Sequence, residues 1–325
     1  MMHSLTTIVL FLRGSIAWKL PHLAFGTFES PHGNQMPMSL TDDNELGTFG
    51  ASSFAGLRTF ANLPFIDCFS DPDIRDHKYD IAVFGAPHDT TISGRPAANS
   101  SVSATPRILT LGGDHTTTLS ALRSTYQRWG PVSVIHFDSH IDTWDPAVLG
   151  GGISDYAGLN HGTFLHIAHE EHLILNNSIH AGIRAPLIRR KGDLRNDVRC
   201  GFEIITARDL DKLGATGVIS KIKERVGGSR VYISVDIDVL DPAYAPATGT
   251  AEPGGWSTRE LLTILDGLEG LAVVGADVVE VAPAYDNNGE TTVLAAAEVA
   301  YSLIDLMVLT PVQSKADAKK DSESG

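Results

Sequence analysis

Short apolar runs alternate along the chain with longer stretches in which apolar residues recur at helical spacing. The apolar runs predict strands at Tyr79–Phe84, Ile108–Leu111, Val132–Phe137, Ser178–Ile183, Phe202–Thr206, Val231–Val235 and Leu271–Val279. The helical spacing predicts helices at Thr117–Arg128, Asp209–Arg225, Thr258–Glu269 and Thr291–Met307. Ser257 and Glu260 have the spacing of a capping box at the start of the third helix. This alternation predicts an α/β fold with a mostly parallel sheet covered on both faces.

Acidic residues and histidines follow the strand predicted at Val132–Phe137. Asp138, His140 and Asp142 are spaced at i, i+2 and i+4. In an extended backbone, these side chains would lie on one side of the chain. Carboxylates so close together repel each other, and their burial is costly without a cation between them.

Two other predicted strands end in the same kind of group. Asp236 and Asp238 follow Val231–Val235, and His115 follows Ile108–Leu111 through a Gly-Gly-Asp segment. In open α/β sheets, ligands bind at the carboxyl ends of the strands. We therefore expect the three clusters to meet at one edge of the sheet.

The combined donor set predicts a metal centre with two ions. Two imidazoles and four carboxylates exceed one tetrahedral zinc site, and they suit two divalent ions with bridging carboxylates. Oxygen-rich ligation with some imidazole favours manganese. The plainer alternative is a set of surface acids near loop ends together with core histidines. The candidate metal ligands are His115, Asp138, His140, Asp142, Asp236 and Asp238.

The three clusters resemble the GGDH, DxHxD and SxDxDxxDP motifs of the ureohydrolase family, which includes arginases and agmatinases. The resemblance extends from about Ile108 to Ala300. Further segments fit the agmatinase-like branch, at Asn160–Thr163, Asp241–Pro246 and Val279–Asp286. The resemblance implies the three-layer arginase-like fold.

The family pattern implies a role for each matching residue. One manganese would be held by His115, Asp138, Asp142 and Asp236, and the other by Asp138, His140, Asp236 and Asp238. Asp142 would also orient the bridging hydroxide. His161 resembles the proton-shuttle histidine of the family, and Glu280 the carboxylate that receives the substrate guanidinium.

The implied reaction is attack of a metal hydroxide on the guanidinium of agmatine or a related compound, which gives urea and an amine. Thr143-Trp144 follows the DxHxD motif where arginases have a small polar residue, and this favours agmatine over arginine. Alternatives are a guanidinobutyrase, a single-zinc deacetylase of the same superfamily, or a non-catalytic relative. The last is suggested by the link at 93–107, which is shorter than the connection in the family.

Several of these residues also have purely structural interpretations. His161 could cap the following helix, and Glu280 could mark the end of a strand. Asp114 is expected to support the neighbouring ligand, and Asp241 to form a turn before proline. His136 is expected to be a core histidine, and Asp277 has no single interpretation from the sequence.

The chain is predicted to contain a leader and irregular arm over 1–75, a catalytic domain over 76–312 and a disordered tail over 313–325. Leu5–Leu12 is an apolar run of signal-peptide type that is too short to span a bilayer as a helix. A cytoplasmic or mitochondrial location is favoured, and secretion stays open.

Composition limits the partners. The 325 residues suffice for one large α/β core, and the formal charge of −14 argues against nucleic-acid binding. The two cysteines, Cys68 and Cys200, do not make a disulfide framework. We expect a small cationic guanidino substrate, no membrane partner and a homo-oligomer.

Overall fold

A single sheet forms the centre of the protein in a computed structural model that describes residues 7–11, 81–86, 106–150 and 154–312. Its eight strands are β1 (Thr7–Phe11), β2 (Ile81–Ala86), β3 (Arg107–Gly112), β4 (Ser133–Phe137), β5 (Ser178–Ile183), β6 (Phe202–Thr206), β7 (Arg230–Asp236) and β8 (Ala272–Val279). Their order is β1-β2-β3-β8-β7-β4-β5-β6, and every neighbouring pair is parallel. The carboxyl ends of β3, β7 and β4 therefore lie near one another at the same edge.

Helices cover both faces of this sheet. They are α1 (Thr117–Trp129), α2 (Pro146–Leu149), α3 (Asp155–Gly158), α4 (Phe164–Glu170), α5 (Arg190–Arg199), α6 (Asp209–Val226), α7 (Thr258–Asp266) and α8 (Thr291–Leu309). Helices α6, α7 and α8 share one apolar core with the sheet, and α1 and α4 share the other. The protein is thus a three-layer α/β structure.

Successive side chains along each strand point to opposite faces of the sheet and so pack into different cores. Ile135 of β4 and Ile233 of β7 pack into the core shared with α6, α7 and α8. Their neighbours Val134 and Tyr232 pack into the core shared with α1 and α4. Strands β4, β5, β7 and β8 are buried on both sides, which explains their nearly continuous apolar sequences.

The amino-terminal apolar run contributes a strand to the sheet. Thr7–Phe11 pairs in parallel with β2, beginning at Thr7 opposite Ile81. From its sequence, this run was expected to be a leader outside the domain. Its β-branched and aromatic residues have high strand propensity, and β1 occupies the edge next to β2.

The predicted helices and strands are found with small shifts at their ends. Ser257 and Glu260 form the predicted capping box of α7. Helix α6 contains Gly214 with a φ of +64°, so two helical segments meet there at a kink. Helices α2, α3, α4 and α5 were not predicted, because they are short or lack a clear apolar period.

Helix α8 is long and apolar enough to cross a membrane by length and composition. It buries Val299, Leu303 and Met307 in the core, whereas Leu294, Tyr301 and Leu309 are exposed. Cys200 is a buried free thiol. Cys68, the link at 93–107 and the tail at 313–325 lie outside the described residues.

Candidate metal centre

All six predicted ligands converge at the carboxyl ends of β3, β4 and β7. The backbone there is not extended, contrary to the prediction. Asp142 has a φ of +48°, and the chain after Asp236 turns into a 3₁₀ helix at Ile237–Val239. The amide of His140 donates to Asp138 Oδ1 at 2.6 Å, and the amide of Asp238 donates to Asp236 Oδ1 at 2.8 Å. These turns, rather than strand alternation, bring the side chains together.

His115 lies at the centre of the first group of ligands. Its Nδ1 is 3.3 Å from Asp138 Oδ2, 3.2 Å from Asp142 Oδ2 and 3.2 Å from Asp236 Oδ2. All four side chains are almost completely buried. This group matches the set that the family resemblance implied for one ion.

His140 lies at the centre of the second group. Its Nδ1 is 3.3 Å from Asp138 Oδ1 and 3.0 Å from Asp238 Oδ2. The two oxygens of Asp138 therefore face different histidines. Asp238 is held in place by Ser139, whose amide and hydroxyl donate to Asp238 Oδ1 at 3.0 and 2.8 Å.

Burial and mutual repulsion perturb the ionisation of these groups in the absence of metal. Burial, followed by the charge of Asp138, raises the pKa of Asp142 to about 7. Burial and then the neighbouring carboxylates raise the pKa of Asp236 well above its usual value. Burial opposes the protonation of His140, but hydrogen bonds to Asp138 and Asp238 prevail and raise its pKa to about 12. Buried charge of this density is typical of a site that holds cations.

The donor atoms fit a metal. His115 Nδ1, His136 Nε2 and Asp138 Oδ2 are buried and have no hydrogen-bond partner. Ligand atoms of His115, His136, Asp138 and Asp142 lie within 4.8 Å of one another, as do those of Asp138, His140 and Asp238. Unpartnered buried polar atoms are rare, and a cation between them would remove the cost.

Ser234 and Asp277 support the metal-facing orientation of His115. The His115 Nε2 lies 2.8 Å from Ser234 Oγ, which donates to Asp277 Oδ1 at 2.6 Å. Thr118 and Tyr232 donate to Asp277 Oδ2 at 2.8 and 2.7 Å. Because the Ser234 hydroxyl donates its hydrogen to Asp277, it accepts from His115 Nε2–H. The Nδ1 lone pair of His115 therefore faces the cluster, as a metal ligand requires.

A row of polar residues crosses the sheet one step below the ligands. The strand registers place Thr110, Asp277, Ser234, His136 and His180 side by side on β3, β8, β7, β4 and β5. The role of this row was not predicted from the sequence. The sequence did contain an indication of it. His136 and Ser234 each precede a candidate carboxylate ligand by two residues, so each shares the face of its strand with that ligand.

His136 is buried, as expected of a core histidine, but it also contacts the cluster. Its Nε2 lies 3.0 Å from Asp138 Oδ2 and 3.9 Å from Asp142 Oδ2. Burial lowers the pKa of His136 to about 3, against the attraction of Asp138. The neutral imidazole is therefore a further polar group of the site.

Glu280 lies directly beside the ligand cluster. It follows β8 with a φ of +61°, a conformation that is uncommon for a residue with a side chain. Its Oε1 accepts from the amide of His115 at 2.6 Å, and its amide donates to Gly113 at 2.8 Å. Burial raises its pKa. The strained backbone and the link to His115 favour a functional carboxylate over a simple strand end.

His161 is exposed in the loop before α4. The N-cap of that helix is Thr163, so the capping interpretation of His161 is wrong. The amide of Trp144 donates to Gly162 at 3.0 Å, which holds this loop against the segment that follows the ligand Asp142. His161 is thus a solvent-accessible imidazole on a loop fixed beside the cluster.

Asp114 and Asp241 have the structural roles that the sequence suggested. Asp114 accepts from the amide of Thr116 at 2.8 Å, in the turn that presents His115. Asp241 accepts from the amides of Ala243, Gly254 and Gly255 at 2.7 to 3.1 Å. These carboxylates organise turns next to the ligands.

Residues 97–305 match the family model described as the arginase family. Among curated relatives, the protein named "Putative agmatinase 1" of Schizosaccharomyces pombe is 41% identical over 83% of this chain and 87% of its own length. The agmatinase of Escherichia coli O7:K1 is 36% identical over 69% of this chain and 67% of its own length.

A solved structure supports the same assignment. Proclavaminate amidinohydrolase of Streptomyces clavuligerus superposes with a TM-score of 0.60 at 32% identity, covering 79% of this chain and 98% of that one. The predicted three-layer arginase-like fold is confirmed, as is the resemblance to agmatinase-like proteins. The chain belongs to the arginase family of metal-dependent hydrolases.

Proposed function

We propose that this protein is a binuclear manganese hydrolase that cleaves agmatine, or a closely related guanidino compound, to urea and an amine. The observation that carries the proposal is the position of the buried Asp138 between two imidazole groups, with Oδ2 facing His115 and Oδ1 facing His140. A carboxylate so placed suits a bridge between two cations.

The proposed identity of the ions follows from the donors. Six oxygen or nitrogen groups and no thiolate make up the set, which favours manganese over zinc or copper. The alternative function, a deacetylase with a single zinc, would need only one of the two groups of ligands. Two groups that share Asp138 support two ions.

The protein supplies positioning and proton transfer around the ions. When bound, the ions supply a water molecule acidified to near-neutral pKa. Asp142 accepts a hydrogen bond from that water and orients it. Glu280 binds the planar guanidinium and holds its carbon in the path of attack, since orientation lowers the barrier to reaction. His161 protonates the departing amine, a step for which an accessible imidazole is well suited.

The environment of Thr143 favours a substrate without an α-carboxylate. Its side chain is fully buried, and its hydroxyl donates to Asp197 Oδ1 at 2.6 Å. The neighbouring Trp144 is also buried, with its indole N–H directed to Asp193. Neither side chain of this segment offers the small exposed hydroxyl or amide that a substrate carboxylate would need. The relatives named agmatinase agree with this preference.

A urea-release screen with manganese tests the proposal. Agmatine is expected to react fastest, guanidinobutyrate more slowly and arginine least. Metal analysis of the same preparation should give two ions per chain, and Asp138→Ala should lose both. Guanidinobutyrate as the best substrate would establish the runner-up activity. Arginine as the best substrate would refute the specificity, and a fully metallated chain that releases urea from none of them would refute the activity.

A further inference from the structure

A series of buried polar groups connects helix α5 to the metal centre. His136 Nδ1 lies 2.9 Å from His180 Nδ1, and His180 Nε2 lies 2.9 Å from Asp197 Oδ1. Thr143 donates its hydroxyl to the same oxygen of Asp197. All four side chains are at most 1% exposed. None of the four belongs to the ligand set that the family resemblance implied.

The partners fix where each hydrogen lies. An ionised carboxylate only accepts hydrogen bonds, so His180 Nε2 must carry a hydrogen toward Asp197. A neutral His180 then has a lone pair on Nδ1. The contact between the two Nδ1 atoms needs one donor, which must be His136. His136 Nε2 is left with a lone pair.

That lone pair is directed into the ligand cluster. His136 Nε2 is only 3.0 Å from Asp138 Oδ2, yet the two atoms are not hydrogen-bonded and both are without a partner. The contact does not have the geometry of a hydrogen bond, so a hydrogen on Nε2 would be a buried donor without a well-aligned acceptor, which is costly. A lone pair needs no acceptor, and it lies with His115 Nδ1 among ligand atoms within 4.8 Å of one another.

We propose that Asp197, acting through His180, holds His136 in the tautomer that presents Nε2 as an additional nitrogen donor to the ion held by His115. Phe202 stacks on His180 at 4.0 Å between ring centroids with an interplanar angle of 12°, which fixes the ring plane. Asp197 is a positioning residue in this scheme. The inference rests on the proposed metal centre but not on the identity of the substrate.

The tautomer can be measured on the parental protein without metal. Nitrogen-15 NMR of histidine-labelled protein distinguishes protonated from unprotonated ring nitrogens, and His136→Gln assigns the signals. We expect an unprotonated Nε2 and a protonated Nδ1 on His136. A protonated Nε2 would overturn the proposal without bearing on the substrate or the reaction.

Asp197→Asn tests the consequence for metal binding. Asparagine presents an N–H donor as well as an acceptor oxygen, so it no longer fixes the hydrogen on His180 Nε2. Where its amide nitrogen donates to His180, both tautomers reverse and His136 Nε2 turns a hydrogen toward the ion. We expect one manganese to bind about 10- to 100-fold more weakly in calorimetric titration, as is typical when a supporting partner is lost. The second manganese should bind with nearly parental affinity.

Asp193→Asn is the matched control. Asp193 lies one turn earlier on α5, is 2% exposed and accepts from the amide of Arg189 and the indole of Trp144. It should leave manganese affinity and the His136 tautomer unchanged. Reversal of the tautomer in Asp197→Asn without weaker metal binding would overturn the proposal. Failure of the parental chain to bind two ions would refute the proposed function. The NMR measurement is made without metal, so it tests the His136 tautomer separately from that failure.

Discussion

Replacing Ser234 by alanine should weaken metal binding although Ser234 is not a ligand. The serine hydroxyl accepts from His115 Nε2–H and donates to Asp277. Its removal leaves the ring hydrogen of His115 without an acceptor in a fully buried site. The ring then loses the contact that keeps its Nδ1 directed at the metal, and we expect manganese affinity to fall.

The magnitude follows from the contacts that are lost. A hydroxyl bond to a carboxylate contributes about 1.5 to 3 kcal/mol, and an orphaned buried donor costs about 1 to 3 kcal/mol. The metal-free Ser234→Ala protein should therefore lose about 2.5 to 6 kcal/mol in its free energy of unfolding. Loss of a partner that orients a ligand lowers metal affinity by about 10- to 100-fold, or about 1.4 to 2.8 kcal/mol.

Thr118→Val separates the two effects. Thr118 is buried, and its hydroxyl donates to Asp277 Oδ2. Its bond to His115 runs from the Thr118 amide to the His115 carbonyl at 3.1 Å, and valine keeps this backbone bond. This variant should lose about 1.5 to 3 kcal/mol of stability with unchanged manganese affinity. Urea unfolding of metal-free protein and calorimetric titration of manganese measure the two quantities. Equal metal affinities in the two variants would refute the role of Ser234 in orienting His115.

Three further predictions concern the reaction and its ions. His161→Asn should lower turnover by about 10²- to 10⁴-fold with unchanged metal content. The control His172→Asn, at another exposed histidine, should keep the parental turnover. A parental rate in His161→Asn would show that His161 is not the acid. Glu280→Gln should raise KM and lower kcat together for agmatine, and a change in KM alone would indicate that the carboxylate only binds substrate. Manganese affinity should fall as the pH is lowered, because His140, with a pKa of about 12, and Asp142, with a pKa of about 7, must release protons to bind metal. With both pKa values raised, the folded metal-free protein binds more protons than the unfolded chain. The contribution of His140 and Asp142 to its stability is therefore lost as the pH rises through about 4 to 12. Stabilisation by bound manganese increases over the same range. Calorimetry in buffers of different ionisation enthalpy should detect at least about one proton released at pH 7.5, and none released would contradict the assignment.

The sequence alone predicted the α/β architecture and the candidate ligand set. Strand positions followed from apolar runs, because burial on both faces of a parallel sheet requires them. The candidate ligands could be recognised because carboxylates only a few residues apart after one strand would repel one another unless cations lay between them. The capping box of α7 was also predictable, since it depends only on residues close in sequence.

Only the tertiary structure decided how these parts meet. The order β8-β7-β4 and its register place Asp277, Ser234 and His136 in one row, and no local pattern states which strands are neighbours. The left-handed backbone of Asp142 also escaped the prediction, which assumed an extended chain. Such conformations persist because the surrounding packing imposes them.

The connection from Asp197 to the metal centre shows the same division. Asp197 lies far from Asp138 in sequence, on a helix that the apolar pattern did not predict. His180 and His136 meet only because β4 and β5 are paired in one register. Local sequence therefore determined which side chains could bind metal. Long-range packing decided which other side chains orient these candidate ligands, because hydrogen bonds between distant residues exist only after the sheet has assembled.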